Sequence, residues 1–282
     1  MTRAARPGRP CSGRFGGGLP FDRRGRGPRP LLVFPGLAFE NQHMDRLTAR
    51  FVFGAYRDLL DAYTVFVVAR RAGLQEGVSV ADMAADYAAM IAEEFGGPVD
   101  VVGTSSGGSI ALQFAADHPR LTRRLVVHSA AHTLGPRGKE IQLEAARLAA
   151  RGQWGRAAAL LMEWVLPSRG AGRLLTRCMR PLAALAMSSG APKDPADFVA
   201  TVEAENAFAF RDRLGEIKAP TLVVAGAEDP GYTPRLFRET AEGIPGSRLL
   251  LYEGMGHPAR GRRFRRDLTE FLLHAQCGTL GR

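Results

Sequence analysis

The segment VDVVGTSSGGSIALQF, Val99 to Phe114, constrains this chain more than any other. It begins as a buried strand, since Val99, Val101 and Val102 are apolar and β-branched. It then crosses Gly103-Thr104-Ser105-Ser106-Gly107, and apolar periodicity resumes at helical spacing with Ile110, Leu112 and Phe114. A strand that meets a helix across so few small residues must reverse sharply, and one residue has to sit at the tip in a strained conformation. G-x-S-x-G is the pattern that puts a serine there. A glycine-rich turn with no chemistry has the same composition, so the surroundings must decide. Ser106 also has small flanks, Thr104 and Gly108, but Gly103 is the better tight-turn residue and favours Ser105.

The rest of the chain supplies an α/β pattern. The run PLLVFPG (30–36) reads as a strand closed by Pro-Gly, and YTVFVVA (63–69) as another. SVADMAADYAAMIAEEF (79–95) reads as a helix, with Ser79 as N-cap and Met83, Tyr87, Met90 and Ile91 on one face. After the central segment, a strand is predicted over 123–130. Continuous apolar strands separated by helices imply parallel βαβ units with both sheet faces covered. From Gly135 to about Arg213 only helical patterns occur. Strands return at 219–230 and 247–254, and an amphipathic helix at 262–275 follows. The expected plan is a core of 30–134 and 214–282 with a helical insertion over 135–213.

Composition matters chiefly at the start. The net charge is +10, but residues 1–30 hold eight arginines and one aspartate. Residues 1–29 therefore read as a disordered basic tail rich in Gly, Pro and Arg. Contact with nucleic acid or another anionic surface, and organelle targeting, are the competing readings of that tail. No apolar run approaches the ~18 residues of a membrane span. Cys11, Cys178 and Cys277 are far apart with no CxxC pair, which argues against zinc or a redox dithiol and suits structural thiols in a reducing cytoplasm.

A serine hydroxyl is a poor nucleophile near neutrality and needs a base, which in turn needs an orienting acid. His257, in EGMGHPAR, is the candidate base, and Asp229, in GAEDPGYTP, the candidate acid, with Glu228 as fallback. Ser105, Asp229 and His257 each follow a strand, where open α/β sheets place their sites. An oxyanion hole is also required. The backbone N–H groups of Ser106 and of Leu37, in the loop VFPGLAFEN, are the candidate donors. His43, His118, His128, His132 and His274 read as structural, with His132 nearest the site. Trp154, Trp164, Met162 and Phe210 read as packing between the insertion and the core.

With these motifs, VVGTSSGG, GAEDPGYTP, GMGH and FPGL, the chain resembles the α/β-hydrolase family in its serine hydrolase branch with a helical cap, over about residues 30–275. The resemblance implies a mostly parallel sheet flanked by helices with an inserted helical cap. It implies a serine hydrolase that cleaves an ester or related acyl bond of a small, partly apolar substrate through an acyl-enzyme on Ser105. No metal and no organic cofactor is implied, and the partner is the small-molecule substrate. The same triad also serves acyl transfer and lactone, peptide or carbon–carbon cleavage, and the fold also carries non-catalytic binding proteins. Three departures stand out. The family usually has His-Gly where this chain has Pro35-Gly36. It usually opens with an antiparallel strand pair, of which only LPFD (19–22) is visible, so a truncated sheet edge is expected. The residue after the nucleophile is usually larger than Ser106.

Overall fold

The structure, a computed structural model, describes residues 11–165 and 191–274. The apolar runs form the centre of an eight-stranded sheet. Its strands are β1 (Cys11–Arg14), β2 (Pro20–Gly25), β3 (Arg29–Phe34), β4 (Tyr63–Val68), β5 (Val99–Thr104), β6 (Thr122–His128), β7 (Thr221–Gly226) and β8 (Arg248–Tyr252), in the order β1-β2-β4-β3-β5-β6-β7-β8. β3 to β8 run parallel, and β1 and β2 join antiparallel at one edge.

Successive residues of a strand face opposite ways, so a strand covered on both faces is apolar throughout. Leu32, Phe34, Val101 and Val127 face α2 (Val80–Glu94) and α3 (Ser106–Asp117). Leu31, Val33, Val102 and Val126 face α1 (Arg46–Gly54) and α8 (Arg262–His274), through Phe53, Phe264, Leu268 and Phe271. Asp100, on the central strand β5, is fully buried and pairs with buried Arg124 on β6 at 3.5 Å. Tyr63 Oη donates to the Asp100 carboxylate at 2.7 Å, and Arg123 grips both its oxygens at 2.9 Å. Ser79 caps α2 in a reciprocal capping box with Asp82.

Between β6 and β7 the described chain forms α4 (Pro136–Ala150), α5 (Trp154–Val165) and α6 (Ala196–Ala207). These helices share a small core of Ala145, Ala149, Trp154, Phe198 and Val202. Phe39, from the β3–α1 loop, seats against Trp154 at 5.5 Å and Phe198 at 4.9 Å, and so ties the insertion to the core. The α/β architecture with an inserted helical cap thus matches the sequence pattern. Two helices have no counterpart in that pattern: α1, capped by Asp45, and α7 (Pro234–Gly243), capped by Thr233. Among the described residues no helix is long and apolar enough to cross a membrane.

The disordered tail expected over residues 1–29 must be corrected from residue 11 onward; residues 1–10 lie outside the described residues. β1 and β2 form a hairpin, and β2 pairs with β4 from Phe21↔Val68 to Gly25↔Thr64, so the sheet edge is not truncated. Phe15 stacks on Phe21 at 4.2 Å, and both pack on Phe66. Buried Asp22 accepts from Ser12 Oγ and from the Met44 N–H. Two of the glycines that suggested disorder, Gly25 and Gly27, are close-approach positions. A Cβ at Gly25 would stand 2.2 Å from Tyr63 O, and one at Gly27 1.9 Å from the Ala62 carbonyl carbon. Arg14 on the edge strand β1 is exposed and guards that edge against stray pairing, and half-buried Arg24 on β2 lays its guanidinium 4.8 Å over the Phe53 ring, so a basic composition is compatible with strands there.

Candidate active site

The β5–α3 turn puts Ser105 at φ 53° and ψ −127°, a region that residues with a side chain rarely adopt. Its neighbours explain how the chain tolerates this. A Cβ on Gly103 would lie 2.4 Å from Gly107 O, one on Gly107 2.1 Å from Phe34 O, and one on Gly108 2.3 Å from Ala130 Cβ. Only glycine fits at these three positions, so α3 can close onto the sheet directly behind the serine. The Ser105 N–H donates to His128 O at 3.0 Å, which anchors the strained residue to β6.

His257 Nε2 lies 3.0 Å from Ser105 Oγ, and His257 Nδ1 lies 2.6 Å from Asp229 Oδ2. All three residues are buried. The other oxygen of Asp229, Oδ1, accepts from the N–H groups of Gly231 at 2.9 Å and Tyr232 at 3.1 Å, and from Trp164 Nε1 at 3.2 Å. The carboxylate is therefore fixed, with one oxygen held by three donors and one presented to the imidazole. Glu228 is exposed and stands outside this chain of contacts. The hydroxyl of Ser106 is buried with no partner among the described residues and makes no hydrogen bond to His257.

The loop carrying His257 is clamped to the end of β6. Ala259 N donates to Ser129 Oγ at 2.9 Å, and Ala259 O lies 2.7 Å from His128 Nε2. A carbonyl can only accept, so His128 carries its proton on Nε2. Its Nδ1 then accepts from Thr104 Oγ1 at 3.1 Å. Burial pushes the His128 pKa down to about 4, which keeps the ring neutral for this bridging role. His128 thus links the residue before Ser105 to the loop of His257. His132 does not reach the site and bonds to Thr240 instead.

Gly36 runs directly against Ser105, and a Cβ there would lie 3.2 Å from Ser105 Cβ. Arg70, buried at the end of β4, donates to Pro35 O at 3.2 Å and to Gly36 O at 3.0 Å. The Gly36 carbonyl and the Leu37 N–H belong to one trans peptide, so they point in opposite directions. Fixing that carbonyl therefore fixes the direction of the Leu37 N–H. Ser106 is the first residue of α3, so its N–H has no acceptor within the helix. Burial lowers the pKa of the Arg70 guanidinium, and the neighbouring Tyr87, Glu205 and Asp197 oppose that shift. Glu205 is itself buried and accepts from Ser109 Oγ at 3.1 Å and Tyr232 Oη at 2.9 Å.

A cavity of about 190 Å³ opens beside Ser105, with Leu37, Gln142, Leu161, Trp164 and Pro258 in its wall. Trp164 and Gln142, both from the insertion, were not singled out as site residues from the sequence. Trp164 shows why: its place depends on Gly231, where a Cβ would lie 1.7 Å from the indole ring, and on a hydrogen bond to a residue 65 positions away.

Residues 75–259, well over half of the chain, match the family described as serine aminopeptidase, S33. Solved structures agree on the fold. A hydrolase from Pseudomonas aeruginosa PA01 is 20% identical over 95% of this chain and 99% of its own, with a TM-score of 0.74. A thermophilic esterase from Thermogutta terrifontis is 21% identical over 94% and 98%, at 0.70. The enol-lactonase from Burkholderia xenovorans LB400 is 18% identical over 93% and 99%, also at 0.70. With the family match running from residue 75 through the His257 loop to residue 259, and a fold like that of these structures, the chain belongs to the serine aminopeptidase S33 family of α/β-hydrolases.

Proposed function

We propose that the protein is a serine hydrolase that cleaves an ester, or a related acyl bond, of a small and partly apolar substrate. The observation that carries this reading is the continuous contact Ser105–His257–Asp229, at 3.0 Å and 2.6 Å, beside a cavity. Ser105 Oγ attacks the acyl carbon while His257 Nε2 takes its proton. The negative charge on the carbonyl oxygen is held by the N–H groups of Ser106 and Leu37. The imidazolium then protonates the leaving alkoxide, and water, deprotonated by the same nitrogen, releases the acid from Ser105. Asp229 keeps the imidazole in the tautomer that can accept the serine proton.

The cavity wall bears on the substrate. The residues described around it include no carboxylate that could hold the free ammonium of a peptide N-terminus, and Glu205 is occupied by Ser109 and Tyr232. This favours a neutral acyl substrate over an aminopeptidase substrate. Gln142 adds a polar group to a wall that, beyond Ser105, His257 and Thr104, is otherwise Leu37, Leu161, Trp164, Pro258 and Gly36 among the described residues. Its Oε1 is buried with no partner among the described residues, so a substrate with a hydrogen-bond donor near the acyl group would satisfy it.

A fluorophosphonate probe tests the reading. Labelling is expected on Ser105 and lost in Ser105→Ala. Labelling that survives Ser105→Ala and disappears in Ser106→Ala would move the nucleophile to Ser106. The same reading gives Arg70 a positioning role. Arg70→Met should lower kcat on a short ester by about tenfold to a hundredfold, less than outright loss of an oxyanion donor, with KM little changed. Arg70→Lys should not restore the rate, because an ammonium lacks the planar fork that holds two carbonyls. An equal rise in KM with unchanged kcat would place Arg70 in substrate binding instead.

A further inference from the structure

A second and larger cleft, about 540 Å³, opens on the sheet face covered by α1 and α8. Its floor is apolar, built from Tyr56, Ala259 and Phe264. Leu47 and Phe51, one helical turn apart on α1, line it at 80% and 60% exposure, and they are the exposed large apolar side chains among the described residues. An apolar patch of this kind with a polar rim marks a binding surface.

The rim is arginine. Arg57 and Arg265 both reach Asp58, at 3.4 and 3.1 Å. Arg50 and Arg260 have no ion pair among the described residues, and the Arg260 guanidinium lies 5.6 Å over the Phe51 ring. No carboxylate among the described residues lines the cleft. An apolar trough with two uncompensated guanidinium groups is complementary to a molecule with an apolar body and one anionic end. The chain's own first ten residues cannot supply that charge, since they hold three arginines and no acidic residue.

We propose that this cleft binds an anionic amphiphile, such as an alkyl carboxylate, sulfate or phosphate, with its head on Arg50 and Arg260 and its body between α1 and α8. The concave floor suits one molecule rather than a flat lipid surface. The cleft is separate from the cavity beside Ser105 but shares Thr104 and Pro258 with it. Those residues precede Ser105 and follow His257, so an occupant lies against both catalytic loops.

The test is calorimetric titration of the full chain with decanoate below its micellar concentration, with decanol as the neutral control. Decanoate should bind saturably, and decanol at least about tenfold more weakly. The double variant Arg50→Gln/Arg260→Gln should weaken decanoate binding by a similar factor, while its melting temperature stays that of the wild type. Ser105→Ala should bind decanoate as the wild type does, since the head group rests on Arg50 and Arg260 and not on the cavity beside Ser105. Equal binding of decanoate and decanol, or decanoate binding unaffected by the double variant, would overturn the proposal. So would association with phosphatidylglycerol vesicles in a chain that fails to bind monomeric decanoate, since that result assigns the patch to a membrane surface.

Discussion

Asp229→Asn is expected to lower kcat by about 10⁴-fold while the protein stays folded. The geometry dictates which way the new amide will face. Three donors, the N–H groups of Gly231 and Tyr232 and the Trp164 indole, converge on Oδ1. The amide oxygen must remain there, because an NH₂ group would oppose three donors in a buried site. The NH₂ group is thereby turned toward His257 Nδ1, where Oδ2 now accepts at 2.6 Å. Nδ1 must then be unprotonated, and the ring proton moves to Nε2, facing Ser105 Oγ at 3.0 Å. That imidazole cannot take the serine proton. Esterase kinetics on a short chromogenic ester, with a thermal melt to confirm folding, measure the effect. Glu228→Gln, at an exposed position, should leave the rate within about twofold. Near-normal activity in Asp229→Asn would remove Asp229 from the mechanism.

Removing residues 1–28 is the second large effect, and it falls on stability. The deletion strips β1 and β2 from the sheet and leaves the β4 edge without its partner from Thr64 to Val68. It also removes Leu19, which is 2% exposed, and the Phe15 and Phe21 rings that cover Phe66 and Phe95. Each such side chain contributes about 1.5–3 kcal/mol when fully buried. For a domain of this size about 1 kcal/mol corresponds to 2–4 °C. A loss on the order of 10 °C or more in melting temperature is therefore expected, together with a tendency to associate through the bared strand edge. Differential scanning calorimetry of the shortened chain reads this directly. A melting temperature within a few degrees of the full chain would show that the hairpin is a dispensable ornament on the sheet.

Ser105, Asp229 and His257, which the fold brings into contact, were legible in the sequence because each sits under a local rule. A serine at a strand–helix reversal needs Gly103 and Gly107 within two residues, and those glycines are written beside it. Asp229 and His257 follow apolar strands directly, so the strand pattern placed them on one sheet edge before any contact was known. Ser79 announced α2 in the same way, through a cap three residues from its Asp partner.

Only the tertiary structure supplied the rest. β2 was hidden because it takes its place in the sheet from β4, about 40 residues away or more, and its alternation of Phe21, Asp22, Arg23 and Arg24 carries no continuous apolar run. The positioning contacts were hidden for a related reason. Arg70 meets the Gly36 carbonyl across 34 residues, Trp164 meets Asp229 across 65, and His128 meets Ala259 across 131. None of these pairs has a spacing that a helix or a turn imposes. Backbone demands such as a positive φ or a helix cap act over a few residues and therefore leave a mark in the sequence. The partner of a buried side chain is decided by which elements the sheet order brings together, and that order exists only once the chain has folded.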